Sequence, residues 1–171
     1  MDFGLFSTWN ALYAVGKVPW SPDYSGGKLL DEEAYAVNYT EFDAVEDMGW
    51  DYTWLGGGHF SKHGSMDPQV LMLSAVLAER TSRIKIGSSI HRPMLRLPGE
   101  TVSERALAHE RYSFDNLMPE DPFQVAEQVA IVDQVSQGRF IYGAGARTRG
   151  SDERRDSFFE FLEVMKQLWT E

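Results

Sequence analysis

The sequence predicts an α/β fold in which short strands alternate with helices around a parallel sheet. Three observations predict it. First, residues 126–145, AEQVAIVDQVSQGRFIYGAG, hold an amphipathic helix, a Ser-x-Gly-Arg break, a short apolar strand and a Gly-x-Gly turn. Second, a strand followed by a helix recurs four times along the 171 residues, which implies right-handed crossovers between parallel strands. Third, there is no G-x-G-x-x-G after the first strand and no G-x-x-x-x-G-K-S/T anywhere, so the phosphate loops of open-sheet nucleotide binders are missing. Of an open doubly wound sheet and part of a (βα)8 TIM-type barrel, the barrel is therefore favoured.

Phe3 to Phe6 reads as the first strand. A long loop over residues 7–30 follows, broken by Pro19, Pro22, Gly26 and Gly27. Its aromatics, with the strand end, include Phe6, Trp9, Tyr13 and Trp20; they either line a substrate pocket or pack the loop, and Phe6 and Trp9 are the candidates for substrate contact. Asp31 suits an N-cap for a helix to about Met48, with Val37, Phe42, Val45 and Met48 on its buried side and Gly49 as its stop. Tyr52 to Leu55 is the second strand, ending in Gly56, Gly57 and Gly58. Asp67 and Pro68 suit the N-cap and first turn of a helix that buries Val70, Leu73, Val76 and Leu77. Residues 83–90, RIKIGSSI, form the third strand, with the partial alternation of a strand covered on both faces.

A second long loop, residues 93–120, is a candidate lid. Asp121-Pro122 repeats the helix start, and the helix runs to about Gln137 with Val125, Val129 and Val132 inward. Phe140 to Tyr142 is the fourth strand. Phe158, Phe161, Leu162, Met165 and Leu168 mark the last helix. Arg139 lies at the N-terminal end of its strand, the end that serves stability in a barrel.

Composition narrows the function. With 43% hydrophobic and 13% aromatic residues the chain is an ordered globule, read as one domain over 1–171. Twenty-six acidic residues against 16 basic ones give a net charge of −10, which disfavours nucleic acid and anionic membranes as partners. Without cysteine there is no disulfide framework, thiolate metal site or thiol nucleophile. His59 and His63 share a short loop, but no further ligand sits at a recognisable spacing, so no metal is expected. No G-x-S-x-G elbow supports hydrolysis. The N-terminus lacks the basic start and long apolar run of a signal peptide, so a cytoplasmic protein is expected.

Four segments resemble the bacterial-luciferase-like flavin monooxygenases. They are MDFGLF at the first strand; GWDYTWL running into Gly58-His59-Phe60; AERTSRIKIG over residues 78–87; and Asp121-Pro122 through Gly145. The resemblance implies a (βα)8 barrel that binds reduced FMN, or a deazaflavin, over the C-terminal ends of the strands and oxygenates a small organic substrate with O2. It maps a non-prolyl cis peptide beneath the flavin ring onto Ser89-Ile90. It maps close backbone approach to the cofactor onto Gly145, and the flavin phosphate onto Arg147. Where the family reads Glu-His-His-Phe this chain reads Gly57-Gly58-His59-Phe60. His59 is the remaining catalytic candidate, and glycine stands where the histidine usually given that role would be. A barrel of this type takes about 250 residues. The chain therefore reads as an N-terminal half, completed by self-association or by a separate C-terminal half, or else as a truncated chain. A non-catalytic half-barrel with weak or no flavin binding is the alternative function.

Overall fold

The computed structural model describes residues 1–7, 32–56, 69–91, 93, 120–146 and 152–170. Among these residues four strands, β1 (Gly4–Ser7), β2 (Tyr52–Leu55), β3 (Lys85–Ser88) and β4 (Phe140–Ile141), alternate with four helices. These are α1 (Glu32–Asp47), α2 (Val70–Arg80), α3 (Pro122–Ser136) and α4 (Asp152–Thr170). The strands form one parallel sheet in the order β1-β2-β3-β4. Sequential parallel neighbours of this kind are the wall of a (βα)8 barrel, so the expected fold class is borne out.

Strand alternation gives the sheet two unlike faces. Leu55 and Ile86 point to one side and join a buried cluster with Phe42, Leu77, Val125, Val129, Phe161 and Met165, so the helices pack there. Residues in register on the other side are Gly4, Tyr52 and Lys85, then Trp54 and Gly87. Tyr52 and Trp54 stack on this face with ring centroids 6.3 Å apart, and Lys85 Nζ lies 5.1 Å from the Tyr52 ring centre. The indole of Trp54 lies flat across Gly87: a Cβ there would fall 2.3 Å from its ring. In a closed barrel this face is the interior.

Local signals explain most boundaries. Asp121 caps α3 by accepting from Phe123 N at 2.9 Å, with Pro122 in the first turn. Gly49 ends α1 with φ +84°, as expected of a helix stop. Some expectations need correction. β1 begins at Gly4 rather than Phe3. α2 opens at Val70 with Gln69 as its flanking residue and no side-chain cap; Asp67 and Pro68, expected to start it, lie outside the described residues. Met48 is 73% exposed because it falls in the turn beyond α1. Val76 is exposed because the buried stripe of α2 runs through Val70, Leu71, Leu73, Ser74, Leu77 and Ala78, beside it. Leu168, in the last turn of α4, is 40% exposed. Among the described residues no helix is long and apolar enough to cross a membrane.

Arg139, expected to be structural, fastens the N-terminal end of the sheet. Its Nη1 donates to Thr81 Oγ1 and Ile84 O, each at 2.9 Å. Its Nη2 donates to the carbonyls of Ala78 at 2.8 Å and Thr81 at 2.9 Å. A planar fork of donors suits this cluster of carbonyls better than a point charge does.

Candidate functional site

The C-terminal ends of β3 and β4 meet in a tight rim. Ser88 Oγ donates to Gly143 O at 3.0 Å and accepts from Gly143 N at 2.9 Å. The Ser89-Ile90 peptide that follows is cis. The next residue, His91, pairs with Ala144 in parallel: His91 N donates to Gly143 O at 2.8 Å, and Gly145 N donates to His91 O at 3.0 Å. The rim thus brings together Ser89, Ile90 and Gly145, three residues the sequence had singled out. Ile90 lies against Gly145 and is 38% exposed. A Cβ on Gly143 would sit 2.0 Å from Ser88 O, so glycine is required for this approach of backbone to backbone. The result is a shelf at the strand ends that exposes Ile90, at the end where barrel enzymes carry their chemistry.

Behind the shelf lies a polar chain that the sequence did not reveal. His91 Nδ1 is 2.8 Å from Tyr142 Oη, and His91 Nε2 is hydrogen-bonded to Glu120 Oε1 at 3.1 Å. Nε2 is also 3.1 Å from Oε2, which is buried and has no hydrogen bond of its own. The His91 side chain is 5% exposed and that of Glu120 27%. Burial pushes the Tyr142 phenol far above its ordinary value, and the nearby Glu120 charge adds to the shift. The phenol therefore stays protonated at any ordinary pH. The Tyr142 ring meets Trp169 of α4 edge-on at 6.4 Å, and the Trp169 indole donates to Ala126 O at 3.2 Å. One sequence signal was available: Tyr142 and His91 stand at or just past the ends of neighbouring strands. Glu120 carried none beyond its place before Asp121-Pro122.

The other candidates divide. Phe6 lies in β1, in register with Trp54. Trp9, His59 and Arg147 fall outside the described residues, as do Tyr13 and Trp20 and residues 94–119 of the candidate lid. Among the described residues no group of three or more His, Asp or Glu side chains is placed to hold a metal. A separate apolar groove of about 230 Å³ lies between α2 and α3, lined by Leu71, Met72, Ala75, Ile131 and Val132 with Gln69 and Gln128.

Comparison with known proteins agrees with this geometry. The monooxygenase RslO1 from Streptomyces bottropensis superposes with a TM-score of 0.67 at 19% identity, over 100% of this chain and 44% of that one. The oxygenating constituent of 3,6-diketocamphane monooxygenase from Pseudomonas putida is a type II Baeyer–Villiger monooxygenase solved with FMN. It superposes at 0.61 with 16% identity, over 99% of this chain and 39% of that one. The riboflavin lyase RcaE, solved with modified FMN and riboflavin, gives 0.55 and 16% identity, over 99% and 38%. The chain therefore spans about two fifths of the length of these structures. No curated protein sequence matches it. The profile of one family, described as luciferase-like monooxygenase, matches residues 7–112, well over half of the chain. With that match and four strand–helix units in barrel order, this chain belongs to the luciferase-like monooxygenase family.

Proposed function

We propose that this chain forms part of a flavin-dependent monooxygenase that uses reduced FMN and O2 on a small organic substrate, with a deazaflavin as the alternative cofactor. One observation carries the reading: Ser89, Ile90 and Gly145 converge at the C-terminal ends of adjacent parallel strands, with Ile90 exposed there. The residues present fit a flat, largely apolar ring. Ile90 offers a half-exposed aliphatic side chain, and the glycine turn lets backbone come close without a Cβ. Family membership, and the FMN named with two of the similar structures, support the same cofactor. When bound, a reduced flavin supplies the electrons that activate O2.

The chain's own residues bind, orient and keep water away. Ile90 would help to exclude water from the bound ring. The Ser89 and Gly145 backbones would come close to the bound cofactor. Arg147, two residues past Gly145, is the candidate for the phosphate, His59 for proton transfer to the substrate, and Phe6 and Trp9 for the substrate's apolar surface. Metal is not part of this reading.

A second reading is favoured by a specific feature. β1 and β4 each have one neighbouring strand among the described residues, and the face carrying Tyr52 and Trp54 is the one a barrel closes over. On this reading the chain is a half-barrel whose binding surface is completed by a second copy or by a C-terminal half, and Gly58 in place of a histidine leaves it non-catalytic. Titration of the purified 171-residue chain with FMN and with a deazaflavin, followed by flavin fluorescence alongside native mass measurement, tests both. Saturable binding of one flavin supports the first reading. No binding by the monomer, with binding restored on assembly, supports the second. No binding in any state contradicts the flavin assignment.

A further inference from the structure

We propose that His91 is the positioning residue of the flavin shelf, held with Nε2–H toward Glu120 and Nδ1 toward the Tyr142 hydroxyl; the proposal rests on the flavin reading above and deepens it. The geometry fixes the roles. A carboxylate only accepts, so the hydrogen between His91 Nε2 and Glu120 belongs to the imidazole. Among the described residues Nδ1 is the hydrogen-bond partner of the Tyr142 hydroxyl, at 2.8 Å, so donation of that O–H to the Nδ1 lone pair satisfies both groups. Each ring nitrogen thus has one partner, and the two partners come from different elements. Tyr142 follows β4, and Glu120 precedes the capped start of α3. A buried imidazole bonded at both nitrogens cannot turn without leaving a polar group unsatisfied.

What this clamp holds is the backbone of the shelf. The same residue that is fixed through its side chain donates N–H to Gly143 O and accepts from Gly145 N. Ile90 is the residue before it and rests on Gly145. A small rotation of His91 would therefore move Ile90 and the glycine turn together. Tyr142 and Trp169 face the helical side, and the Tyr142 ring packs against the core. The chain Glu120–His91–Tyr142 is thus a brace set behind the shelf, and none of its three side chains is assigned contact with flavin or substrate.

The test uses the full 171-residue chain and has two readouts. Nitrogen chemical shifts of the His91 imidazole are expected to show hydrogen on Nε2 and a hydrogen-bonded, unprotonated Nδ1. Hydrogen on Nδ1 in place of Nε2 would overturn the proposal. The second readout is FMN affinity in His91→Ala, His91→Asn, His91→Gln and Tyr142→Phe, against Val129→Ala, a buried change in α3 that lowers stability while removing none of the hydrogen bonds of the brace. Asn can replace the Nδ1 acceptor and Gln the Nε2 donor, so each is expected to recover part of an approximately tenfold loss in His91→Ala. Val129→Ala is expected to bind FMN within about twofold of the parent protein. If His91→Ala binds as tightly as Val129→Ala, His91 is merely structural and the proposal fails. If the parent chain binds no FMN at all, the flavin reading fails by itself. The brace is then judged by the Gly145 amide resonance in Tyr142→Phe, where displacement supports positioning and an unmoved resonance overturns it.

Discussion

Ile90 rests on Gly145 so closely that a Cβ at position 145 would fall 2.2 Å from Ile90 Cδ1. The obstructing atom is the free end of a flexible side chain, so Gly145→Ala is expected to lose only about 1 kcal/mol while turning Ile90 away. At Gly143 the obstructing atom is the Ser88 carbonyl oxygen, 2.0 Å from the same added carbon. Backbone yields far less readily, and Gly143→Ala is expected to lose about 3 kcal/mol. Urea unfolding of the two variants checks the contrast; equal losses would show that the rim is not packed as described.

Arg139 ties four acceptors at the opposite end of the sheet. Arg139→Ala leaves three carbonyls and a hydroxyl without these donors and is expected to destabilise the fold by roughly 3 kcal/mol. Arg139→Lys cannot reproduce the fork and is expected to recover less than half of that. Because the site lies at the N-terminal ends of the strands, flavin affinity is expected to stay unchanged wherever the variants remain folded. Affinity that falls with Arg139→Lys at constant fold would contradict the separation of the two ends.

Glu46 near the end of α1 receives the chain leaving α2. Its carboxylate accepts from Ser82 N at 2.9 and 3.0 Å, Ile84 N at 3.2 Å, the Ser82 hydroxyl at 3.2 Å and Arg83 N. Burial alone would raise its pKa, but the N–H donors of Ser82, Arg83 and Ile84 outweigh burial and hold it below the ordinary value of 4.5. A depressed folded value means the stabilisation is complete above the ordinary value and is lost as pH falls through the folded one. Glu46→Gln is therefore expected to lower stability at neutral pH by about 1 kcal/mol, allowing for solvent around the group, and to flatten the stability profile below pH 4.5. Chemical unfolding across that range decides it, and a parent profile no steeper than the variant's would be the contrary result.

Trp54 occupies the space above Gly87, where an added Cβ would fall 2.3 Å from its ring. Gly87→Ala must displace the indole from its stack with Tyr52 and is expected to lose about 2 kcal/mol. A shift in tryptophan emission should accompany it. An unchanged spectrum at unchanged stability would mean that this face is loosely packed.

The readable parts of this chain were those fixed by local chemistry. Asp121-Pro122 begins a helix because a side-chain acceptor and a residue without N–H satisfy the first turn whatever surrounds them. Phe158, Phe161 and Met165 are inward because helical spacing puts them on one stripe. The convergence of Ser89 and Gly145 was also foreseen, through parallel strand order and family resemblance together. Val76 was misplaced because an apolar residue beside the stripe looks like one within it, and only packing against α3 separates them. His91 escaped notice because its meaning lies in Glu120 and Tyr142, 29 and 51 residues away. Non-local pairings of that kind leave no periodicity to read.

Amide chemical-shift mapping of the uniformly labelled 171-residue chain during FMN addition tests the central claim most directly. Saturable shifts concentrated at Ile90, His91, Ala144 and Gly145, with the groove residues Met72 and Ile131 unmoved, are the predicted result. Shifts confined to that groove between α2 and α3, or none anywhere, would contradict a flavin shelf at the ends of β3 and β4.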